Sequence, residues 1–206
     1  RAILHMDLDS FFVSVERLRN SSLIGKPLII GGDSVRGVVS SCSYEARRFG
    51  VQSAMSMKMA KRLCPDAIVL RGDMEEYSKY SHLVTEVITD ESPTFEKASI
   101  DEFYIDLTGM DRHFGCYRWS LQLTDKIVKE TGLPISFGLS VNKLVSKIGA
   151  GEGKPQGRVQ VERGDEREFL APLSTSKMPG IGTETYKRLS FMGVRTIRVL
   201  SEIPVK

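Results

Sequence analysis

The order of hydrophobic periodicities constrains the fold of this chain more than any other feature of its sequence. Apolar residues alternate along residues 3–8, which is typical of a strand with one buried face. After residue 73 the spacing of apolar residues predicts helix, strand, strand, helix and strand, over residues 74–90, 95–100, 103–107, 115–131 and 134–141. The chain therefore contains a β-α-β-β-α-β series that is interrupted after its first strand.

This series predicts an α+β fold with a ferredoxin-like βαββαβ sheet. In that topology the third strand lies between the first two and is antiparallel to both, and the crossover is right-handed. The C-terminal end of the first strand then lies beside the turn that joins the second and third strands. Residues 10–72 are predicted to form a small inserted α/β domain, and the chain after about residue 162 a third, mostly helical unit.

Three carboxylates fall at the place where these strand ends meet. Asp7 ends the first strand, and Asp101 and Glu102 occupy the turn between the second and third strands. Carboxylates without nearby histidine or cysteine suit hard divalent cations, and a pair of such ions supports phosphoryl transfer. Taken singly, each acid could form a polar turn or cap a helix, but three converging like charges favour a metal site. Asp9 could assist or could be the N-cap of the next helix.

A second set of residues has phosphate-binding chemistry. Tyr44 and Arg47 are three residues apart in a helix predicted over 44–49, so both project from one face. An arginine can hold a phosphate through two hydrogen bonds, although an exposed arginine is more often a solvated surface group. Lys154 lies in a glycine-flanked segment, 151–155, which we predict to be a loop and which lacks the spacing of a P-loop.

Phe11 and Phe12 follow the first strand directly. Adjacent helical side chains point about 100° apart, so we expect one ring in the core and the other beside the acids. A bulky ring at that place would exclude the 2′-hydroxyl of a bound nucleotide. On spacing alone, both rings could equally be core aromatics.

A glycine-rich turn at 179–183 precedes a helix predicted over 184–192. Free backbone N–H groups at such a turn can bind a DNA phosphate without reading the base sequence. An ordinary turn between two helices has the same pattern. Tyr186, Leu189 and Met192 are expected to pack this helix rather than to contact DNA.

Composition excludes several other classes of protein. No apolar run approaches the ~18 residues that a membrane-spanning helix needs. Cys42, Cys64 and Cys116 are odd in number and scattered, which predicts buried thiols in a reducing, cytoplasmic compartment. Residues 73–161 carry 10 basic and 14 acidic residues, whereas both flanking segments are basic. This charge distribution fits a cation site between surfaces that contact polyanions, or ordinary variation of surface charge.

Six motifs, in this order, resemble those of Y-family translesion DNA polymerases of the DNA polymerase IV (DinB) type. They are residues 7–12, 44–47, 99–102, 142–143, 154–155 and 180–182. The resemblance covers essentially the whole chain. It implies a palm of residues 1–10 and 73–161, fingers of residues 11–72, and a partial thumb of residues 162–206 with a helix-hairpin-helix. The family's little-finger domain, which grips DNA, is expected to be missing from this chain.

The resemblance also implies roles for individual residues and for their partners. Two Mg²⁺ ions would be held by the catalytic acids and one carbonyl: Asp7, Asp101, Glu102 and Leu8. The incoming nucleotide would be bound by Phe11, Phe12, Ser41, Tyr44, Arg47 and Lys154, with Phe12 as the steric gate. Primer–template DNA would contact Gly180, Ile181 and Gly182. A sliding clamp could bind through a C-terminal region missing here, and we expect a monomer without membrane contact.

The implied activity is Mg²⁺-dependent, template-directed addition of dNTPs to a primer 3′-end, in error-prone synthesis past DNA damage. Two other functions fit part of the sequence. A palm-type nucleotide cyclase shares the βαββαβ core and the paired acids, but it does not explain the inserted domain with Tyr44 and Arg47. A non-catalytic DNA-binding module would use only the glycine-rich turn.

Overall fold

The computed structural model describes residues 1–32, 34, 36–92, 94–110 and 115–204. The strands, in chain order, are β1 (Ile3–Leu8), β2 (Leu28–Gly31), β3 (Val39–Cys42), β4 (Ile68–Leu70), β5 (Phe95–Lys97), β6 (Glu102–Asp106), β7 (Ile135–Ser140) and β8 (Arg158–Gln160). The helices are α1 (Phe11–Arg19), α2 (Tyr44–Arg47), α3 (Met57–Leu63), α4 (Met74–Glu91), α5 (Cys116–Thr131), α6 (Lys143–Gly153), α7 (Glu166–Leu170), α8 (Thr183–Phe191) and α9 (Ile197–Ser201).

The larger sheet has five strands in the order β5-β6-β1-β7-β8. β6 lies between β5 and β1 and is antiparallel to both, and β7 pairs antiparallel with the other side of β1. The predicted α+β fold with a ferredoxin-like strand order is therefore confirmed. β8 adds a strand parallel to β7, which we did not predict because three residues are too few to show a period.

The two faces of β1 have different surroundings, because successive side chains of a strand point to opposite sides. Leu4, Met6 and Leu8 are buried in a core that includes Tyr77 of α4 and Ile127 of α5. Burial of this apolar face is the main contribution of the strand to stability. The opposite, polar face of β1 is consequently the one on which a functional site can form.

α6 packs on the opposite face of the sheet. Gly138 of β7 pairs with His5 of β1, and a Cβ atom at Gly138 would lie 2.0 Å from the carbonyl oxygen of Ser146 in α6. Any residue larger than glycine would push the helix away from the sheet. The position of α6 over β1 therefore depends on Gly138.

The second sheet belongs to the inserted segment and has the order β3-β2-β4, with β2 antiparallel to β3 and parallel to β4. Its core consists of buried apolar side chains: Ile29, Val39, Cys42, Ala46, Val51, Met57, Ala60 and Cys64. The strand predicted over 37–39 begins only at Val39. The N–H of Gly37 donates to the carbonyl of Ser34 instead, so Gly37 closes a turn.

Several helix ends match the signals in the sequence. The side chain of Asn142 accepts the N–H of Val145 at 2.9 Å and caps α6, as predicted. Gly132 follows α5 in the left-handed conformation, with φ 72°, which favours glycine. The helix predicted over 44–49 is shorter, because α2 ends at Arg47 and only turns follow it.

The last part of the chain is helical, as predicted. Tyr186 and Leu189 of α8 are half-buried, but Met192 is 66% exposed, so our prediction that Met192 packs this helix is wrong. Met192 is the C-cap residue of α8 and precedes the left-handed Gly193, with φ 83°, so it lies beyond the packed turns. The helix-hairpin-helix around Gly180 stays a prediction.

The three cysteines are buried, as the sequence predicted. None of them, Cys42, Cys64 or Cys116, forms a disulfide. In the described part of the chain, no helix combines the length and the apolar content that crossing a bilayer requires.

We expect Gly138→Ala to destabilise the fold by roughly 1–3 kcal/mol, because its Cβ atom would overlap the backbone of α6. Gly151→Ala is the matched control. Gly151 is exposed within α6, and nothing lies within 4 Å of its Cβ position, so alanine should stabilise the helix by about 0.5–1 kcal/mol. Urea unfolding measures both variants, and equal effects would contradict the close approach of α6.

Candidate active site

The acids of the predicted site meet where β1 and β6 pair. Asp7 is directly opposite Glu102 in the antiparallel register, so their side chains lie on the same face of the sheet. The N–H of Leu8 donates to the carbonyl of Asp101 at 3.0 Å, which places Asp101 one step further along the same edge. The predicted juxtaposition of Asp7 with the pair 101–102 is therefore confirmed.

Two lysines form ion pairs with two of these carboxylates. Lys154 donates to a carboxylate oxygen of Asp7, and Lys147 donates to Oε2 of Glu102. Burial raises the pKa of Asp7, and the charge of Lys154 opposes that rise. Both carboxylates are mostly buried, with side chains 15% and 22% exposed, so each ion pair lies in a partly dehydrated environment.

Glu102 has a second neighbour of a different kind, an imidazole ring. The buried ring of His5 places Nε2 at 3.6 Å from Oε2 of Glu102, longer than an ordinary hydrogen bond. His5 and Lys147 together lower the pKa of Glu102 to about 2. Glu102 is therefore an anion at any ordinary pH.

The described residues do not form a metal site that is already arranged around an ion. In that part of the chain, no three His, Cys, Asp or Glu side chains are arranged to hold an ion as they stand. The donor chemistry nevertheless fits a hard cation. Asp7, Glu102 and Asp101 supply only oxygen, and Asp101 accepts a hydrogen bond from Ser99 Oγ at 2.7 Å. A metal ion would bind in place of the lysine ammonium groups.

Lys154 follows the end of a helix, which differs from our prediction. The segment 151–155 was expected to be a glycine-flanked loop, but α6 continues to Gly153 and Lys154 is its C-cap residue. The exposed Gly151 does not interrupt the helix, which continues for two residues beyond it. The helix thus carries the chain to the point where Lys154 contacts Asp7.

The inserted segment contributes a second side of the site. Ser41 is buried in β3, and Tyr44 and Arg47 belong to α2, which follows that strand. The Arg47 guanidinium lies 4.9 Å from the centre of the Tyr44 ring, and its Nε donates to the carbonyl of Cys42 at 3.3 Å. These contacts confirm that Tyr44 and Arg47 share one helical face. Arg47 is otherwise exposed, so its charge is available to a ligand.

Phe11 and Phe12 differ in burial, as expected, and the position of Phe12 beside the acids stays a prediction. Phe11 is 3% exposed and belongs to the core, whereas Phe12 is only half-buried. The ring of Phe12 stacks on the ring of Tyr77, with 4.2 Å between centroids and 12° between planes. Tyr77 is itself fixed by a 2.8 Å hydrogen bond from its hydroxyl to Glu16. The orientation of Phe12 is therefore set by α4.

Asp9 is neither part of the acid cluster nor a helix cap. The N-cap of α1 is Ser10, with φ 44°, and its side chain makes no cap hydrogen bond. Asp9 is 1% exposed and accepts hydrogen bonds from Ser136 Oγ at 2.9 Å and from the N–H of Gln156 at 2.6 Å. Asp9 therefore has neither of the two roles that we considered. Its side chain instead joins segments that are distant in sequence.

The glycine-rich turn lies close to the acids. Asp7, Lys147 and Lys154 line a cleft of about 380 Å³ together with Gly180 and Ile181. A 2.7 Å ion pair between Lys177 and Glu152 joins the two sides of this cleft. The structure thus brings two of the three predicted DNA-contacting residues to the same cleft as Asp7.

Sequence reasoning missed the contacts of Lys147 and His5, although both left a signal, and the expectation that no histidine lies near the acids is wrong. Alternation along β1 places His5 on the same face as Asp7. Lys143, Lys147 and Lys154 are spaced by four and seven residues, which places them along one face of a helix. Pairing that lysine face with the acidic strand would have predicted both ion pairs.

The chain is similar to a known protein family and to several known proteins. Residues 6–151 match the model of the impB/mucB/samB family. The DNA polymerase IV of Treponema denticola is 43% identical over 198 residues, which cover 96% of this chain and 50% of that protein. The DNA polymerase IV of Dehalococcoides mccartyi strain 195 is 40% identical over 206 residues, covering 99% of this chain and 53% of that protein. The chain spans about half the length of these curated relatives.

Solved structures give the same result. The DinB protein from Sulfolobus solfataricus superposes with a TM-score of 0.90 at 28% identity, covering 99% of this chain and 61% of that chain. An insertion ternary complex of Dbh DNA polymerase superposes with a TM-score of 0.87 at 29% identity, with the same coverage.

We expect the ion pair of Glu102 and Lys147 to stabilise the fold only while Glu102 is charged. Because its pKa is lowered from 4.5 to about 2, the stabilisation is complete above pH 4.5 and is lost as the pH falls toward 2. A double-mutant cycle of Glu102→Gln and Lys147→Met, measured by urea unfolding without metal ions, should give about 1–3 kcal/mol of coupling at pH 6. This coupling should decrease between pH 4.5 and pH 2.5.

The control is the exposed pair Glu184 and Lys187 on α8, for which helix pairs of this spacing give about 0.2–0.5 kcal/mol. A coupling between Glu102 and Lys147 that is this small, or that does not change with pH, would contradict the interpretation.

Proposed function

The chain belongs to the impB/mucB/samB family of Y-family DNA polymerases, and we propose that it performs template-directed addition of deoxynucleotides to a primer 3′-end. Synthesis past damaged template is the biological setting that this family membership supports. The chain spans about half the length of its curated relatives, so the activity of the whole protein is part of the proposal. The single observation that carries it is the pairing of Asp7 with Glu102 beside the lysine that follows α6.

The family implies dependence on divalent metal ions, and we propose Mg²⁺, in two sites. Asp7, Asp101 and Glu102 would hold the ions, with the carbonyl of Leu8 as a further ligand, because all these donors are oxygens. Such ions, when bound, would favour ionisation of the primer hydroxyl and neutralise charge on the phosphates. Release of Lys147 and Lys154 from the carboxylates would accompany their binding.

The triphosphate of the incoming nucleotide would lie between α2 and the end of α6. Arg47 offers an exposed guanidinium, and Lys154, once released from Asp7, offers an ammonium group. Burial and the nearby charge of Asp9 raise the pKa of Tyr44 to about 12, so its hydroxyl keeps its proton and can donate a hydrogen bond. Ser41 would complete this set from β3. Positioning by these residues would supply much of the catalysis.

Phe12 is proposed as the gate against ribonucleotides, with Phe11 next to it in the nucleotide-binding segment. Its half-buried ring is held flat against Tyr77, so it has little freedom to move away from a 2′-hydroxyl. Because this contact fixes the ring, Phe12 can exclude ribonucleotides by its shape and needs no hydrogen bond to the sugar.

The primer strand is proposed to follow the cleft that joins the glycine-rich turn to the acids. Gly180 and Ile181 line this cleft together with Asp7, and Gly182 is the N-cap of α8. Their backbone N–H groups can hold a phosphate without reading the sequence. No observation favours a nucleotide cyclase or a non-catalytic DNA-binding module. A clamp partner, a monomeric state and a cytoplasmic location stay predictions.

We expect Asp101→Ala and Glu102→Ala each to reduce Mg²⁺-dependent primer extension by at least about 100-fold, because each removes a proposed metal ligand. The measurement is primer extension on undamaged and lesion-bearing templates, with this chain and with the longest natural form. Asp106→Asn is the matched control, since Asp106 is a carboxylate at the far end of the same strand. Near-normal extension by Asp101→Ala or Glu102→Ala in a folded variant would refute the proposed function.

We expect Phe12→Ala to raise incorporation of ribonucleotides relative to deoxynucleotides by at least about 10-fold, because the space near C2′ of the sugar is no longer blocked. The ratio of kcat/KM for the two sugars measures this effect. Phe11→Leu serves as the control: it changes a core ring and should alter stability but not sugar selectivity. An unchanged ratio for Phe12→Ala would place the gate at another residue.

A further inference from the structure

Asp9 is a buried carboxylate whose partners come from three distant parts of the chain. Its side-chain oxygens lie 2.9 Å from Ser136 Oγ in β7, 2.6 Å from the backbone nitrogen of Gln156, and 3.5 Å from the hydroxyl of Tyr44 in α2. All three partners are neutral donors. With 1% of its surface exposed, the charge of Asp9 depends on these hydrogen bonds for its solvation.

The bond to Gln156 fixes the turn that follows Lys154. Gln156 has φ 52°, a left-handed conformation that a residue other than glycine adopts at some cost in free energy. Its N–H points at Asp9, and the next N–H, of Gly157, donates to Ser136 Oγ at 3.0 Å. Two consecutive backbone donors are thus bound by the pair Asp9 and Ser136.

The contact with Tyr44 links the same carboxylate to the inserted domain. Tyr44 lies 35 positions from Asp9 and Gln156 lies 147 positions from it, yet both meet the one side chain. Lys154 is two residues before Gln156. The two segments that carry Tyr44 and Lys154 are therefore held to a common point next to Asp7.

We propose that Asp9 is a positioning residue, which sets the distance between Tyr44 and Lys154 and thereby forms the seat for the nucleotide triphosphate. This inference rests on the proposed function, because it assumes that Tyr44 and Lys154 bind that group. Asp9 does not touch the substrate in this role. It acts through the turn at 154–157 and through α2.

A carboxylate suits this role better than an amide does. Each neighbour of Asp9 donates a hydrogen, and a carboxylate accepts at both oxygens. An asparagine would turn one NH₂ group toward a donor. Asp9→Asn should therefore weaken the anchor while keeping its shape, and Asp9→Ala should remove it.

The test is a double-mutant cycle between Asp9→Ala and Lys154→Ala, using the longest natural form with primer–template DNA and Mg²⁺. The measurements are the dissociation constant of a correctly paired dNTP, by fluorescence, and KM and kcat for its incorporation. Asp9→Ala alone should weaken dNTP binding by about 10-fold or more and should raise KM more than it lowers kcat. In the Lys154→Ala background, Asp9→Ala should add less than about 3-fold, because its effect passes through Lys154.

Ser136→Ala and Ser120→Ala form a matched pair of controls. Both remove a buried hydroxyl, but Ser136 binds Asp9, whereas Ser120 donates to the carbonyl of Cys116 within α5. Only Ser136→Ala should weaken dNTP binding. If Asp9→Ala does not fold, Asp9→Asn takes its place in the cycle.

The outcomes separate this inference from the proposed function. If Lys154→Ala does not weaken dNTP binding, the proposed triphosphate site itself is wrong. If Lys154→Ala weakens binding but Asp9→Ala does not, or if the two effects multiply fully, Asp9 is a structural residue only and the inference is overturned. Equal losses from Ser136→Ala and Ser120→Ala would overturn it as well.

Discussion

The register between β1 and β6 is the constraint on which the rest of the structure depends. Side chains alternate along a strand, so a shift of one residue would move every side chain to the opposite face. Burial of Leu4, Met6 and Leu8 against α4 and α5 fixes the register of β1. Asp7 must then lie on the other face, where the pairing of β1 with β6 places it opposite Glu102. The geometry of the acids is therefore a consequence of core packing, not of interactions among the acids, which repel one another.

That repulsion is offset by a helix whose position is set by backbone contact. α6 approaches the sheet closely only because β7 has glycine at 138. This approach brings Lys147 to Glu102, and the end of the helix brings Lys154 to Asp7. In the proposed function, divalent cations would bind where these two ammonium groups now lie. Their binding would then exchange one positive charge for another.

The sequence predicted those features that follow from periodicity and topology. It predicted the strand order, the meeting of Asp7 with the pair 101–102, and the unequal burial of Phe11 and Phe12, because each depends on spacing within one element or on a general rule for connections. The helical conformation of Gly151 was not predicted, since glycine carries no apolar signal. The ion pair of Lys147 was missed as well, because periodicity within an element does not specify which side chains of two elements meet.

The inserted segment shows how a distant part of the chain can still be held in a defined position. Closing a long insertion costs little more free energy than closing a short one, so the length of the inserted segment does not fix where Tyr44 lies. The start of the insertion is fixed instead, because Phe11 and Val15 of α1 are buried in the core beneath the larger sheet. A second tie, from Asp9 to Tyr44, lies at the site itself. With one anchor in the core and one beside the acids, α2 has little freedom to rotate, so the face that we propose to bind phosphate is directed toward Asp7 before any ligand arrives.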